Sequence, residues 1–86
     1  MLSLREQRVV ELVREYQKGD VQAFDGIYSL CYQPIYYLIY KMVRDKHEAE
    51  DLTQEVFLQI FHRIEDLTDP KSFTCWSNRI AYHSTL

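Results

Sequence analysis

This chain predicts an all-α fold, a compact bundle of about four helices, and three observations carry that expectation. Apolar residues recur at three- and four-residue intervals over four separate stretches. Small polar residues able to cap a helix stand ahead of those stretches. Only two Gly and two Pro occur in 86 residues, which is little turn chemistry for a sheet. The apolar share of 47%, with seven Tyr and four Phe, suffices for a helical core and argues against disorder. At this length residues 1–86 form one small domain of modest stability, because a short chain buries a smaller share of its surface.

The first helix begins after Ser3, with Glu6 three residues on, the pattern of a capping box. Val9, Leu12, Val13 and Tyr16 form its apolar face, and Gly19 ends it with a left-handed turn. Asp20 is expected to cap the second helix, whose stripe is Phe24, Ile27, Tyr28, Cys31, Ile35, Leu38, Ile39 and Met42. Pro34 lies inside that stripe and removes one backbone donor. Because the stripe stays in phase across it, a kink is expected rather than a break. Asp45, with Glu48 three residues on, caps the third helix, which runs to about Ile64. Residues 65–72 read as a loop in which Asp69-Pro70 stops one helix and restarts the next. The fourth helix places Phe73, Trp76, Ile80 and Ala81 on one face. Short connections favour antiparallel neighbours.

The third helix has two faces of different character. Leu52, Val56, Phe57, Ile60, Phe61 and Ile64 follow the spacing of a buried stripe. Asp51, Gln54, Glu55 and Leu58 follow the same spacing beside it. A solvated face ordinarily mixes both signs of charge. This one has two acids, an amide and a leucine, and no base, so it is a candidate docking surface for a basic partner; the plainer alternative is a wet helix face.

Several function classes find little support. A net charge of −3 is unfavourable for a stand-alone nucleic-acid binder, so any DNA contact must be local or supported by a partner. Cys31 and Cys75 are too few for a disulfide framework, and the apolar run from Pro34 to Tyr40 is too short to span a bilayer. With no signal peptide evident, a soluble, reducing, cytoplasmic setting without a membrane partner is expected. His47, His62 and His83 have no ligand spacing with either Cys, and no Glu-x-x-His pair occurs, so no metal or other cofactor is expected. Glu48 and Glu50 suit the start of a helix, and neither a phosphate loop nor a nucleophile signature recommends an enzyme. Cys75, beside Trp76, is expected to be a buried, inert thiol. Tyr28, Tyr32, Tyr36 and Tyr40 repeat every four residues, a pattern of packing first and of base stacking second.

An ordered set of motifs adds a resemblance. Gln17-Lys18-Gly19-Asp20 is followed by Ala23-Phe24, Ile27-Tyr28 and Tyr32-Gln33-Pro34-Ile35-Tyr36. Then come Ala49-Glu50-Asp51-Leu52-Thr53-Gln54-Glu55-Val56-Phe57, Phe73-Thr74-Cys75-Trp76 and Arg79-Ile80-Ala81. In this order the chain resembles, over nearly its whole length, the second conserved region of bacterial extracytoplasmic-function sigma factors. The resemblance implies a helical domain that binds the clamp helices of the RNA polymerase β′ subunit and recognises and melts the promoter −10 element. It implies an anti-sigma factor as a further partner. The clamp-binding face of the family falls on the third helix, at positions matching Asp51, Gln54 and Glu55, with Leu58 on the same stripe. Acids facing a basic coiled coil assist orientation and docking rate more than affinity.

Promoter reading in the family falls on the loop before the fourth helix and on that helix, where an extruded base of the non-template strand is captured. The matching residues are Lys71, Ser72, Phe73 and Thr74, with Arg79 and His83. A polar loop can read the Watson–Crick edge of such a base, while its π-face needs an apolar wall. Lys71 and Arg79 are expected on phosphates, which position without specifying. The chain departs from the family at Ser77 and Asn78, where Leu and an aromatic usually follow the Trp, and at His83, where Asn is frequent. Ser77 implies a looser fourth helix or an outward-facing serine, and His83 implies a different promoter preference. Glu65, Asp66 and Asp69 make the loop acidic. These departures keep open an alternative: a protein-interaction domain of the same fold that binds polymerase or an anti-sigma factor without opening promoters. The C-terminal domain that reads the −35 element in the family is absent from these residues. Leu86 lies on a helical pattern, which suggests a piece of a longer protein, a short natural protein being the other option.

Overall fold

The computed structural model describes residues 1–86. It contains α1 (Leu4–Gln17), α2 (Ala23–Val43), α3 (Lys46–Arg63) and α4 (Phe73–Thr85), and no strand. Two single 3-10 turns, Ile64–Asp66 and Pro70–Ser72, occupy much of the segment read as loop.

The caps of α1 are those the sequence implies. The Glu6 N–H donates to Ser3 Oγ (3.1 Å), and the Ser3 N–H donates back to Glu6 Oε1 (2.9 Å). The Ser3 N–H, with a smaller contribution from the Ser3 hydroxyl, holds the Glu6 carboxyl below its ordinary pKa. At the other end the Gly19 N–H donates to the Tyr16 carbonyl and the Asp20 N–H to the Glu15 carbonyl, both at 3.0 Å. That pair of bonds is a Schellman motif, and the φ of +113° at Gly19 is what makes it possible.

Asp20 does not cap α2 directly. Its carboxylate accepts from the Gln22 N–H (3.2 Å) and its carbonyl from the Ala23 N–H (3.1 Å). A tight turn therefore precedes the helix, whose own cap, Gln22, makes no side-chain cap bond. From Ala23 the helix continues through Pro34 without a break. Gly26 has no Cβ where one would lie 2.9 Å from Leu12 Cδ1, so glycine here lets α1 approach α2 closely. Arg44, in the left-handed region at φ 56°, turns the chain sharply into α3. Asp45 then caps α3 as expected, accepting from the Glu48 N–H (3.0 Å).

All four helices share one core. Val13, Ile27, Ile39, Val56, Ile60 and Ile64 are fully buried within it. The third helix buries Thr53 as well, which its hydroxyl tolerates by donating to the Ala49 carbonyl (2.6 Å). Phe61 departs from the expected stripe: it is 45% exposed, at the edge of α3, where its ring meets Phe24, His62 and Tyr16, with centroids 5.1, 5.9 and 6.0 Å away.

The fourth helix differs most from its sequence reading. Its buried residues are Phe73, Ser77, Ile80 and Ala81, while Trp76 is only half-buried against Phe73. Ser77 faces inward and donates to the Thr74 carbonyl (3.1 Å). A void of about 60 Å³ lies beside it, bounded also by Leu30, Cys31, Pro34 and Ile35.

The expectation of a buried Cys75 is also overturned, because its position on α4 points away from the core and is exposed. Cys31 is the enclosed thiol, and burial pushes it up to about 11. A maleimide or iodoacetamide at neutral pH should therefore label Cys75 readily and Cys31 at least tenfold more slowly. Peptide mapping after short labelling checks this, and equal rates would place Cys31 at the surface.

No helix is long and apolar enough to cross a membrane.

Candidate docking and nucleic-acid surfaces

Asp51, Gln54, Glu55 and Leu58 lie together on the outer face of α3, all exposed. With Gln59 and His62 they line a shallow depression of about 490 Å³. The ion pairs of the chain are Arg8 with Glu11 and Glu15, and His47 with Glu50. Asp51 and Glu55 are therefore open to an external cation. Leu58 is 62% exposed, a large apolar side chain that the domain leaves mostly uncovered.

The α2 side of this stripe is apolar. Phe24, Tyr28, Gln54, Phe57, Leu58 and Phe61 line an open groove of about 460 Å³, with Gln54 and Leu58 belonging to both surfaces. Sequence periodicity assigns Phe24 and Phe61 to the core, so it misses the groove. The sequence signal for it is Leu58, an apolar residue on the otherwise polar stripe beside Phe57 and Phe61.

The tyrosines of α2 extend from the same place. Tyr28 lies 4.7 Å from Phe57 between ring centroids, and Tyr32 stacks on Phe57 at 6.2 Å. Tyr32 and Tyr36 (6.1 Å), then Tyr36 and Tyr40 (6.0 Å), continue as near-parallel pairs. Desolvation, with smaller contributions from neighbouring tyrosines and Glu50, raises the pKa of Tyr32 and Tyr36. These rings occupy one another's faces, which favours packing over insertion of bases.

The residues proposed to meet DNA separate into three settings. Arg79 and His83 are exposed on the outer face of α4 and line a depression of about 470 Å³ with Cys75, Asn78, Tyr82 and Leu86. Lys71 and Ser72 are exposed on the second 3-10 turn, where the Asp69 carboxylate accepts from the Lys71 N–H (3.1 Å). Lys71 lies towards α1, sharing a different depression with Gln7 and Arg14. Phe73 is 1% exposed and Thr74 half-buried. Phe73 is thus a core residue and offers no wall to an extruded base, because α4 begins with its ring turned into the bundle. The exposed aromatic on this side is Tyr82, 46% exposed and one turn from Arg79. Its i+3 spacing from Arg79 is the sequence signal that points to it.

No group of three or more His, Cys, Asp or Glu side chains gathers closely enough to hold a metal ion.

Comparison with known proteins places the chain in a family. The description of Sigma-70 region 2 matches residues 27–86. The chain is 33% identical over 81 residues to the ECF RNA polymerase sigma factor SigW of Bacillus subtilis, a match covering 94% of the chain and 43% of that protein. It is 31% identical over 81 residues to the RNA polymerase sigma-H factor of Pseudomonas aeruginosa, covering 94% and 42%. With the ECF RNA polymerase sigma factor BldN of Streptomyces coelicolor it shares 39% over 75 residues, covering 86% and 28%. The chain thus spans less than half the length of these curated relatives. No solved structure gives a significant match.

Proposed function

The chain belongs to the sigma-70 region 2 family, and from that premise we propose that it docks on the β′ clamp helices of RNA polymerase and recognises and melts the promoter −10 element. The observation that carries the docking is the face of α3, where exposed, unpaired Asp51 and Glu55 flank Gln54 and Leu58. A basic coiled coil would be oriented by the two carboxylates and accept a hydrogen bond or donate one through the Gln54 amide. Leu58 and the adjoining groove add apolar contact that charge alone does not supply. By the same family likeness, an anti-sigma factor competing for this face would be a further partner.

For the promoter, the outer face of α4 and the segment before it are the proposed surface. Arg79 would neutralise a phosphate and His83 would contact a base edge. Tyr82 would supply the apolar wall for an extruded base in place of buried Phe73. With a net charge of −3 the isolated domain binds DNA weakly, so low salt or polymerase core is needed for the test.

A panel of −10 non-template oligonucleotides at two salt concentrations provides it. Arg79→Ala should weaken binding to every sequence and lower the salt slope by about one. His83→Asn should change the ranking among sequences. If neither substitution alters affinity or ranking, the alternative gains: a domain that keeps its protein-binding face and has given up promoter opening.

A further inference from the structure

The segment from Ile64 to Ser72 joins the proposed clamp face to the proposed promoter face, and one side chain from elsewhere holds it. Gln17 Nε2 donates to the Ile64 carbonyl (2.9 Å) and to the Leu67 carbonyl (2.9 Å), across 47 and 50 residues of sequence. Both amide hydrogens are thereby used. These are the only side-chain hydrogen bonds that reach this segment from another element; those of Asp69 are local.

We propose that Gln17 is a positioning residue for promoter reading, fixing the start of the segment that leads into α4. It is well placed for this. Gln17 is the last residue of α1, immediately before the Schellman turn, so the end of the helix sets where its side chain points. Its two acceptors bracket the first 3-10 turn, which is closed from within by the Leu67 N–H donating to the same Ile64 carbonyl (3.2 Å). Asp69 holds the other end, with the Ser72 N–H on its carbonyl (2.9 Å) and the Lys71 N–H on its carboxylate (3.1 Å). Only Thr68 is left between the two anchors. A segment ordered in advance loses less conformational freedom when a single strand arrives, and the gain appears as affinity. The proposal rests on the reading that this segment and α4 meet DNA.

Gln17→Met keeps the length of the side chain and removes its donors. Gln17→Glu keeps the shape and turns a carboxylate onto two carbonyl oxygens. Both variants should retain the helicity and cooperative unfolding of the native chain. Losing two partly buried hydrogen bonds should speed amide exchange at Leu67 and its neighbours roughly tenfold, while the middle of α3 stays protected. Affinity for a −10 non-template oligonucleotide should fall about three- to tenfold, and more for Glu than for Met. Affinity for an isolated β′ clamp coiled coil should be unchanged, which a general loss of folding would not permit.

Unchanged exchange at Leu67 in both variants overturns the anchoring. Faster exchange with unchanged oligonucleotide affinity, while Arg79→Ala still weakens binding, overturns the positioning role and leaves promoter reading intact. If Arg79→Ala is also silent, promoter reading fails and the positioning role falls with it.

Discussion

Replacing Phe73 by Ala is expected to destabilise the domain by about 3–5 kcal/mol. The ring is 1% exposed and is among the largest side chains fully enclosed by the bundle. It stands at the head of α4, where the chain emerges from the second 3-10 turn, and its removal leaves a cavity that the short connection cannot close. A domain of this size has a total stability of only several kcal/mol, so much of the variant should be unfolded at 37 °C. Trp76→Ala should cost less, about 1–2 kcal/mol, because the half-buried indole leaves part of its surface in water already. Urea unfolding followed by helicity gives both values. The opposite order would mean that α4 is rotated from the position described, with Trp76 inward and Phe73 free for a base.

Reversing the charge of the α3 face should have the largest effect on binding. Asp51→Lys with Glu55→Lys is expected to weaken association with the β′ clamp coiled coil by at least about a hundredfold, mostly through a slower association rate. Each lysine faces a basic partner where an acid attracted it, and like charges across an interface cost several kcal/mol. Neither acid has an ion-pair partner inside the domain, so folding should be preserved. Asp51→Ala with Gln54→Ala removes attraction without adding repulsion and should give a smaller loss, about tenfold. Stopped-flow association at low and moderate salt separates the rate effect from the affinity effect. Intact helicity with unchanged association in both variants would remove the docking role from this face.

Much of the fold is written locally in the sequence, because its signals act within one or two turns. Ser3 with Glu6, Gly19, and Asp45 with Glu48 each meet their partners within four residues of themselves. The outward face of α3 was legible for the same reason: four residues at helical spacing stay together whatever the rest of the chain does. What remained hidden depends on neighbours distant in sequence. Phe61 and Phe24 follow a core pattern, yet they line an open groove between α2 and α3, a property of helix packing rather than of either helix alone. On α4 the small shift that buries Ser77 turns Cys75 outward and leaves Trp76 half-covered, since a helix rotates as a unit. The Gln17 bonds bridge about half the chain, and a glutamine at a helix end gives no hint of them.

Resonance mapping of the 86-residue chain during titration with the β′ clamp coiled coil is the most direct test of the docking face. At low salt the largest shifts should fall on Asp51, Gln54, Glu55 and Leu58, and extend to Phe61 and Tyr28 along the adjoining groove. The interaction should weaken as salt rises, as complementary charges require. The outer face of α4, with Arg79 and His83, should stay unperturbed until a −10 oligonucleotide is added. Shifts confined to α1 or α4, or no binding at low salt by a folded chain, would contradict the proposal that α3 presents the polymerase-docking surface.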